Sequence, residues 1–387
     1  MRSAKLILAT LFLASLAQAE ADLKFSGFVI PSWVGATHGV DSFSQPNMSA
    51  YTAAGNPAMA TQGDSFRSSF QAAQSRLGIS FSPETTSKGS LEFDFIDFAK
   101  ASPTTGAMPR VRRAVVELFQ GDFTFRFGQD WDLVSPLAPF SYNYVGHYFE
   151  SGDIGFMRLQ AQAIWKHGNQ EQAIAVGLPG NNNTAADGAV ELTLLPTFAA
   201  RQTWNLAQMQ LGASLLATWI RLAKTSPERA LAGAATLFAQ SASGATLEWR
   251  AEAYLGQNTF NLGMLGLAFG GSAAPEIREA GAYISSKYHV SSTFSVFGGI
   301  GGAWVLNPSG MYSSYARTGG VATLASTGPG LEWNATLRLG VDWTLGKNAV
   351  LFAEGAGLLS RHHLLAGDAL EPGAATFVTQ VGTQLSL

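Results

Sequence analysis

Apolar and polar residues alternate with a period of two along most of the chain. The C-terminal stretch shows it most plainly. Phe377, Thr379, Val381, Thr383, Leu385 and Leu387 fall on one face, and Gln380, Gly382, Gln384 and Ser386 on the other. Such alternation marks a strand with one apolar face. In 331–345, Ala335, Leu337, Leu339, Val341 and Trp343 alternate with Asn334, Thr336, Arg338, Gly340 and Asp342. These runs exceed the roughly 5–6 residues usual in a soluble strand and match the roughly 9–11 of a tilted strand crossing a bilayer. Leu91, Phe93 and Phe95 repeat the pattern against Glu92 and Asp94, as do Phe123, Phe125 and Phe127 against Thr124 and Arg126. Leu159, Ala161, Ala163 and Trp165 do so against Arg158, Gln160 and Gln162.

The pattern predicts about sixteen strands. They lie at 23–34, 68–82, 89–99, 109–119, 122–129, 155–167, 170–178, 191–204, 208–221, 230–242, 245–256, 276–288, 291–303, 331–345, 349–359 and 375–387. Short connections such as 120–121, 167–169 and 243–244 alternate with long ones such as 35–67, 130–154 and 257–275. Short turns on one side and long loops on the other are the layout of an outer-membrane barrel, with the turns periplasmic and the loops extracellular. Lipid offers no hydrogen bonds to a free strand edge, so such a sheet must close on itself.

Composition narrows the class further. The chain has 387 residues, 47% of them hydrophobic and only 13% charged, with 42 Gly and no Cys. A soluble domain carries about 25% charged residues. Disorder is inconsistent with so much hydrophobic content, and the lack of Cys removes disulfide scaffolds and thiolate metal sites. A helical membrane protein needs uninterrupted apolar runs of about 18 residues. The long uncharged stretches here are broken by Gly, Ser, Asn and Gln. The expected fold is therefore an all-β, transmembrane, antiparallel β-barrel.

Residues 1–19 read as a secretory signal. Arg2 and Lys5 precede an apolar run, Leu6–Leu16, which ends at Ala17-Gln18-Ala19, a small-x-small cleavage site. The barrel then occupies 20–387. Removing Arg2 and Lys5 from 24 Lys+Arg leaves 22 against 27 Asp+Glu, a net charge of −5. So modest a charge implies no nucleic-acid partner.

The segment Arg110-Val-Arg-Arg-Ala-Val-Val-Glu-Leu118, a short turn and Phe125-Arg-Phe-Gly-Gln-Asp-Trp131 resemble the Gram-negative porins. The chain is most similar to the DcaP-like, dicarboxylate-type porin group. There an Arg-rich strand is followed by one ending in Gly-Gln-x-Trp and then by a long loop folded into the pore. The resemblance assigns that constriction loop to 130–154. It also implies a homotrimer in outer-membrane lipids, passing water, ions and small hydrophilic solutes without a cofactor. The chain departs from the group in ending on Leu387 instead of Phe, and in lacking the N-terminal coiled-coil segment of some members.

The candidate pore-lining residues are Arg110, Arg112, Arg113, Arg126 and Arg158 on three successive strands, with Asp130, Asp132, Glu150 and Asp153 on the loop. Arg112 and Arg113 have opposite parity, and an Arg facing lipid near the midplane costs about 2–4 kcal/mol. A β-bulge there would turn Arg113, Val115 and Glu117 inward and Ala114, Val116 and Leu118 outward. With the loop folded in, its acids are expected to face the arginines across the narrowest point. Loop residues Phe140, Tyr142, Tyr144, Tyr148 and Phe149 are expected to pack the loop against the wall. Gly-x-Ser-x-Gly, His-Glu-x-x-His and EF-hand patterns are absent from the sequence. The reading is a porin and not an enzyme, with no cofactor and no metal site. A channel selective for small anions such as dicarboxylates, and a structural or adhesion barrel with a plugged lumen, remain as alternatives.

Overall fold

The computed structural model describes residues 22–37, 51–52, 66–96, 109–144, 146, 148–178, 196–221, 229–259, 262, 264, 266–267, 276–308, 315–318, 321–324, 331–362, 370–371 and 373–387. The expected signal segment lies outside the described residues, and so does most of the expected loop 35–67.

One antiparallel sheet of 18 segments closes into a barrel of 16 staves, because the first two staves are each broken once. The first four are β1 (Asp22–Val29, continued by Ser32–Ala36), β2 (Arg67–Gln71, continued by Arg76–Glu84), β3 (Ser87–Asp94) and β4 (Arg110–Gln120). Next come β5 (Phe123–Trp131), β6 (Met157–His167), β7 (Gln170–Gly177) and β8 (Thr197–Asn205). They are followed by β9 (Met209–Arg221), β10 (Arg229–Ser241), β11 (Leu247–Gln257) and β12 (Arg278–His289). The last are β13 (Phe294–Val305), β14 (Leu331–Thr344), β15 (Ala349–His362) and β16 (Gly373–Ser386). Each stave pairs with its sequence neighbours. The ring closes where Phe28 of β1 stands opposite Ser386 of β16, and Ser32 opposite Gly382.

Side-chain alternation sorts the wall into two faces. Leu337 and Leu339 are outward and about two-thirds exposed, whereas their neighbours Thr336 and Arg338 are inward and buried. Leu159, Ile174, Phe198, Leu215, Leu237, Leu255, Ile284 and Ile300 continue the outer belt around the ring. The core thus lies inside the barrel and mixes apolar with many polar side chains: Gln162, Thr203, Ser214, Thr236, Glu252, Glu279, Glu354 and Gln380 are all buried.

Two local features shape the lumen. On β4 the register shifts between Glu92 and Phe93 of β3, so that Glu92 pairs with Arg113 and Phe93 with Val111. Arg112 is the extra residue. Val115 is then buried and Val116 and Leu118 are exposed on the outer wall, the arrangement that the cost of an arginine in lipid demands. The second feature is a dent at the breaks in β1 and β2. Pro31 has no N–H to give to the ladder, and the wall folds inward at 72–75. Ile30 N donates to Ser75 Oγ at 3.0 Å, and Gln74 is buried in the lumen.

Candidate functional site: the constricted lumen

The connection from β5 to β6, residues 132–156, enters the barrel and crosses it. It differs from the expected 130–154 in that Asp130 and Trp131 are the last residues of β5. Wall side chains hold the loop from Ser135 to Tyr144. Glu252 of β11 accepts from Ser135 Oγ and, at 2.8 Å, from Leu137 N. Phe140 N donates to Ser285 of β12 at 3.0 Å. Glu354 of β15 accepts from Tyr142 N at 3.2 Å and Asn143 N at 2.8 Å. Tyr144 Oη donates to Gln384 of β16 at 2.7 Å, and Tyr144 N to Gln74 in the dent at 3.0 Å. Those to the Glu354 carboxylate are charge-assisted, the stronger kind.

The aromatic residues of the loop face the wall, as the sequence led one to expect. Tyr142 stacks on Phe352, with ring centroids 4.2 Å apart and planes 6° from parallel. Tyr148 is sealed beneath Arg338, whose guanidinium lies 5.0 Å from the ring centroid. Burial lifts the Tyr144 and Tyr148 hydroxyls to about 12, so both stay neutral at ordinary pH. The glycine run of β13 makes the seat. A Cβ at Gly301 would stand 2.2 Å from Ser151 O and 2.7 Å from the Tyr148 ring, and one at Gly299 2.7 Å from Tyr148 Oη. At the loop tip, Gly152 has φ +105° and presses against Ala282 O.

The return limb rests on the connection after β11. Leu262, Met264 and Leu267 are buried against Leu133, Val134 and Ile154. Glu279 accepts from Thr259 Oγ1, from Leu267 N at 2.9 Å and from Tyr254 Oη at 3.2 Å, which folds this second connection inward. Nothing in the local sequence pattern signals that Leu262, Met264 and Leu267 lie in the lumen.

The arginines of β4, β5 and β6 all point inward and each meets an acid. Arg110 grips Asp94 with two bonds, 2.9 and 2.7 Å. Arg112 reaches Glu92 at 2.9 Å and Asp94 at 3.2 Å, with its guanidinium 5.5 Å from the Trp131 ring centroid. Arg113 binds Asp130 at 2.6 Å, and Arg126 binds Glu117 at 2.6 Å. Arg158 binds Asp132 at 2.7 and 3.0 Å. Glu150 sits in the tight turn of the loop tip with φ 61°, and Asp153 turns toward Ser135, 3.2 Å away.

This corrects the expected opposition of loop acids and wall arginines. Asp130 and Asp132 lie beside the arginines on the same side of the lumen, because a carboxylate gains more from direct guanidinium contact than from facing one across water. The loop segment Pro136-Leu137-Ala138-Pro139 faces the arginines instead. A cavity of about 360 Å³ separates loop and wall, lined by Arg76, Arg113, Arg126, Gln162 and Arg201 on the barrel side. Arg113 and Arg126 are about one-third exposed there, whereas Asp130 behind them is 6% exposed. The water-facing surface is therefore guanidinium, with carboxylates behind it. Arg201 of β8, bonded to Glu171 at 2.9 Å, and Arg76 of β2 escaped the sequence reading. Both stand at inward parity, which was the available signal. Arg338 is also inward, as its parity requires, but it is covered by the loop.

A closed antiparallel barrel of 16 staves with one connection folded into its lumen is the porin architecture. The chain is similar to the outer membrane channel DcaP of Acinetobacter baumannii, with a TM-score of 0.70 at 14% identity, covering 95% of this chain and 97% of that one. It is also similar to an anion-selective porin from Comamonas acidovorans (TM-score 0.60, 11% identity, 95% and 100% covered). A third is OmpT, an outer membrane protein of Vibrio cholerae (TM-score 0.53, 12% identity, 95% and 98% covered). No family model matches the sequence, and no curated protein matches it. At these identities the likeness establishes the fold.

Proposed function

We propose that the protein is an outer-membrane porin that lets water, ions and small hydrophilic solutes diffuse passively, with a mild preference for anions. The observation that carries this reading is the arginine-faced cavity of about 360 Å³ between the inserted loop and the wall. Arg76, Arg113, Arg126 and Arg201 line its barrel side, and Asp130 lies behind Arg113 and Arg126. The apolar outer belt suits lipid and not water, and a wet lumen spares a solute the cost of crossing hydrocarbon. The neighbour from Comamonas acidovorans, named as anion-selective, supports the sign of the preference. A homotrimer in the outer membrane goes with this reading.

The test is conductance in planar bilayers under a KCl gradient. The reversal potential should fall on the chloride side, and more strongly at low salt, since fixed charges act over about 10 Å at 0.1 M and about 30 Å at 0.01 M. A barrel that inserts and never conducts would mean a plugged lumen and a structural role. Flux of small dicarboxylates that saturates at millimolar concentration would narrow the reading to a selective channel.

A further inference from the structure

The loop is pinned to β11 through an unusual group. Ser135 Oγ lies within hydrogen-bonding distance of two buried carboxyls, Asp153 at 3.2 Å and Glu252. A hydroxyl carries one proton and can donate to one of them. The other carboxyl can bond the same oxygen only by donating a proton of its own. Its remaining neighbours do not remove that need. Glu252 accepts from Leu137 N through its second oxygen.

Charged and titratable groups of three strands act on the pair. Arg201 of β8 attracts Glu252, but it is bonded to Glu171 at 2.9 Å. Tyr254 of β11 and Tyr283 of β12 are buried phenols beside the pair, with Arg250 of β11 nearer to Tyr283. From the loop itself, Tyr148 acts on Tyr283 and Glu150 on Tyr254.

We propose that Asp153, Glu252 and Ser135 form a proton-operated latch, which holds the constriction loop to the wall while the pair keeps its shared proton and releases the loop when that proton is lost. The sign follows from linkage. In the released state both acids are solvated and titrate near 4. In the latched state burial raises Asp153 above the usual carboxylate range. The latched state therefore binds more protons, and rising pH favours release. Each pH unit above the latched titration should raise the released fraction up to about tenfold per proton lost.

The chain has no Cys, so a single introduced one reports on the loop directly. Val134 is fully buried beside the latch, and Ala138 is exposed. In detergent-folded protein, the rate of labelling of Val134→Cys by a small thiol reagent is divided by that of Ala138→Cys, which cancels thiol ionisation. The ratio should climb from pH 6 to pH 9. In the Glu252→Gln background it should stay flat, because the amide donates to Ser135 Oγ, Ser135 then donates to Asp153, and no shared proton is needed. Asp153→Asn supplies the mirror-image variant should Glu252→Gln fold poorly. Conductance measured alongside should show closures that become more frequent with pH in the wild type only. The conductance readout rests on the channel reading, and the labelling readout does not. A labelling response in a barrel that never conducts would uphold the latch and remove the channel. A flat ratio in the wild type, or an equal climb in both variants, would overturn the latch.

Discussion

Arg113, Arg126 and Asp130 show how a few side chains set the sign of the lumen. The two guanidinium groups reach the water and the carboxylate lies behind them, 2.6 Å from one and 3.8 Å from the other. A passing anion meets cations first. At about 4 Å in water one such charge is worth about 1 kcal/mol, or roughly a fivefold change in an ion's local concentration. Arg113→Ala with Arg126→Ala should therefore move the reversal potential toward the cation side by that order, and also expose Asp130. Asp130→Asn should move it the other way, and less, because the carboxylate is screened from the lumen by its partners. If Asp130→Asn shifts selectivity as much as the arginine pair does, the carboxylate is in the water and the stacking order inferred here is reversed.

At the scale of the element, the inserted loop owes its position to strands far away in sequence. Glu354 lies 211 residues from Asn143, and Glu252 lies 115 from Leu137. Gly301 is the sharpest case. On β13 it reads as one more glycine in a strand, yet its missing Cβ is what lets Ser151 and Tyr148 settle on the wall. Gly301→Ala should leave the barrel intact and push the loop tip into the lumen, lowering single-channel conductance. An unchanged conductance would mean that the tip does not rest on β13. The strands themselves were legible, because period two is a local property and a lipid-facing charge is costly at any single site. That cost alone placed the bulge at Arg112. The loop's seat was not legible, since no window of sequence contains both Tyr148 and Gly301. The acids of the loop were misplaced for a related reason. Their partners on β4 and β6 are close in space, and neither parity nor spacing says which side of the lumen a carboxylate will take.

The whole molecule is a closed ladder whose register must be right everywhere at once, since a slip of one residue would turn every outward side chain inward. The stave β14 tests this where two adjacent residues have opposite fates. Leu339 is 65% exposed on the outer belt, and Arg338 is 2% exposed beneath the loop. Leu339→Arg places a charge on the lipid face, at a cost of about 2–4 kcal/mol near the midplane. In lipid vesicles the urea midpoint for unfolding should drop accordingly, and less of the protein should show the compact migration of a folded barrel on an unheated gel. Arg338→Leu has a different effect. It removes the cation 3.8 Å from Glu354 and the contact with Tyr148, while the loop keeps the bonds from Tyr142 N and Asn143 N to that carboxylate. The barrel wall should keep its register, and the loosened loop should show up as noisier conduction. If Leu339→Arg unfolds at the wild-type urea concentration, then β14 sits one residue out of register and its lipid-facing side is the other one.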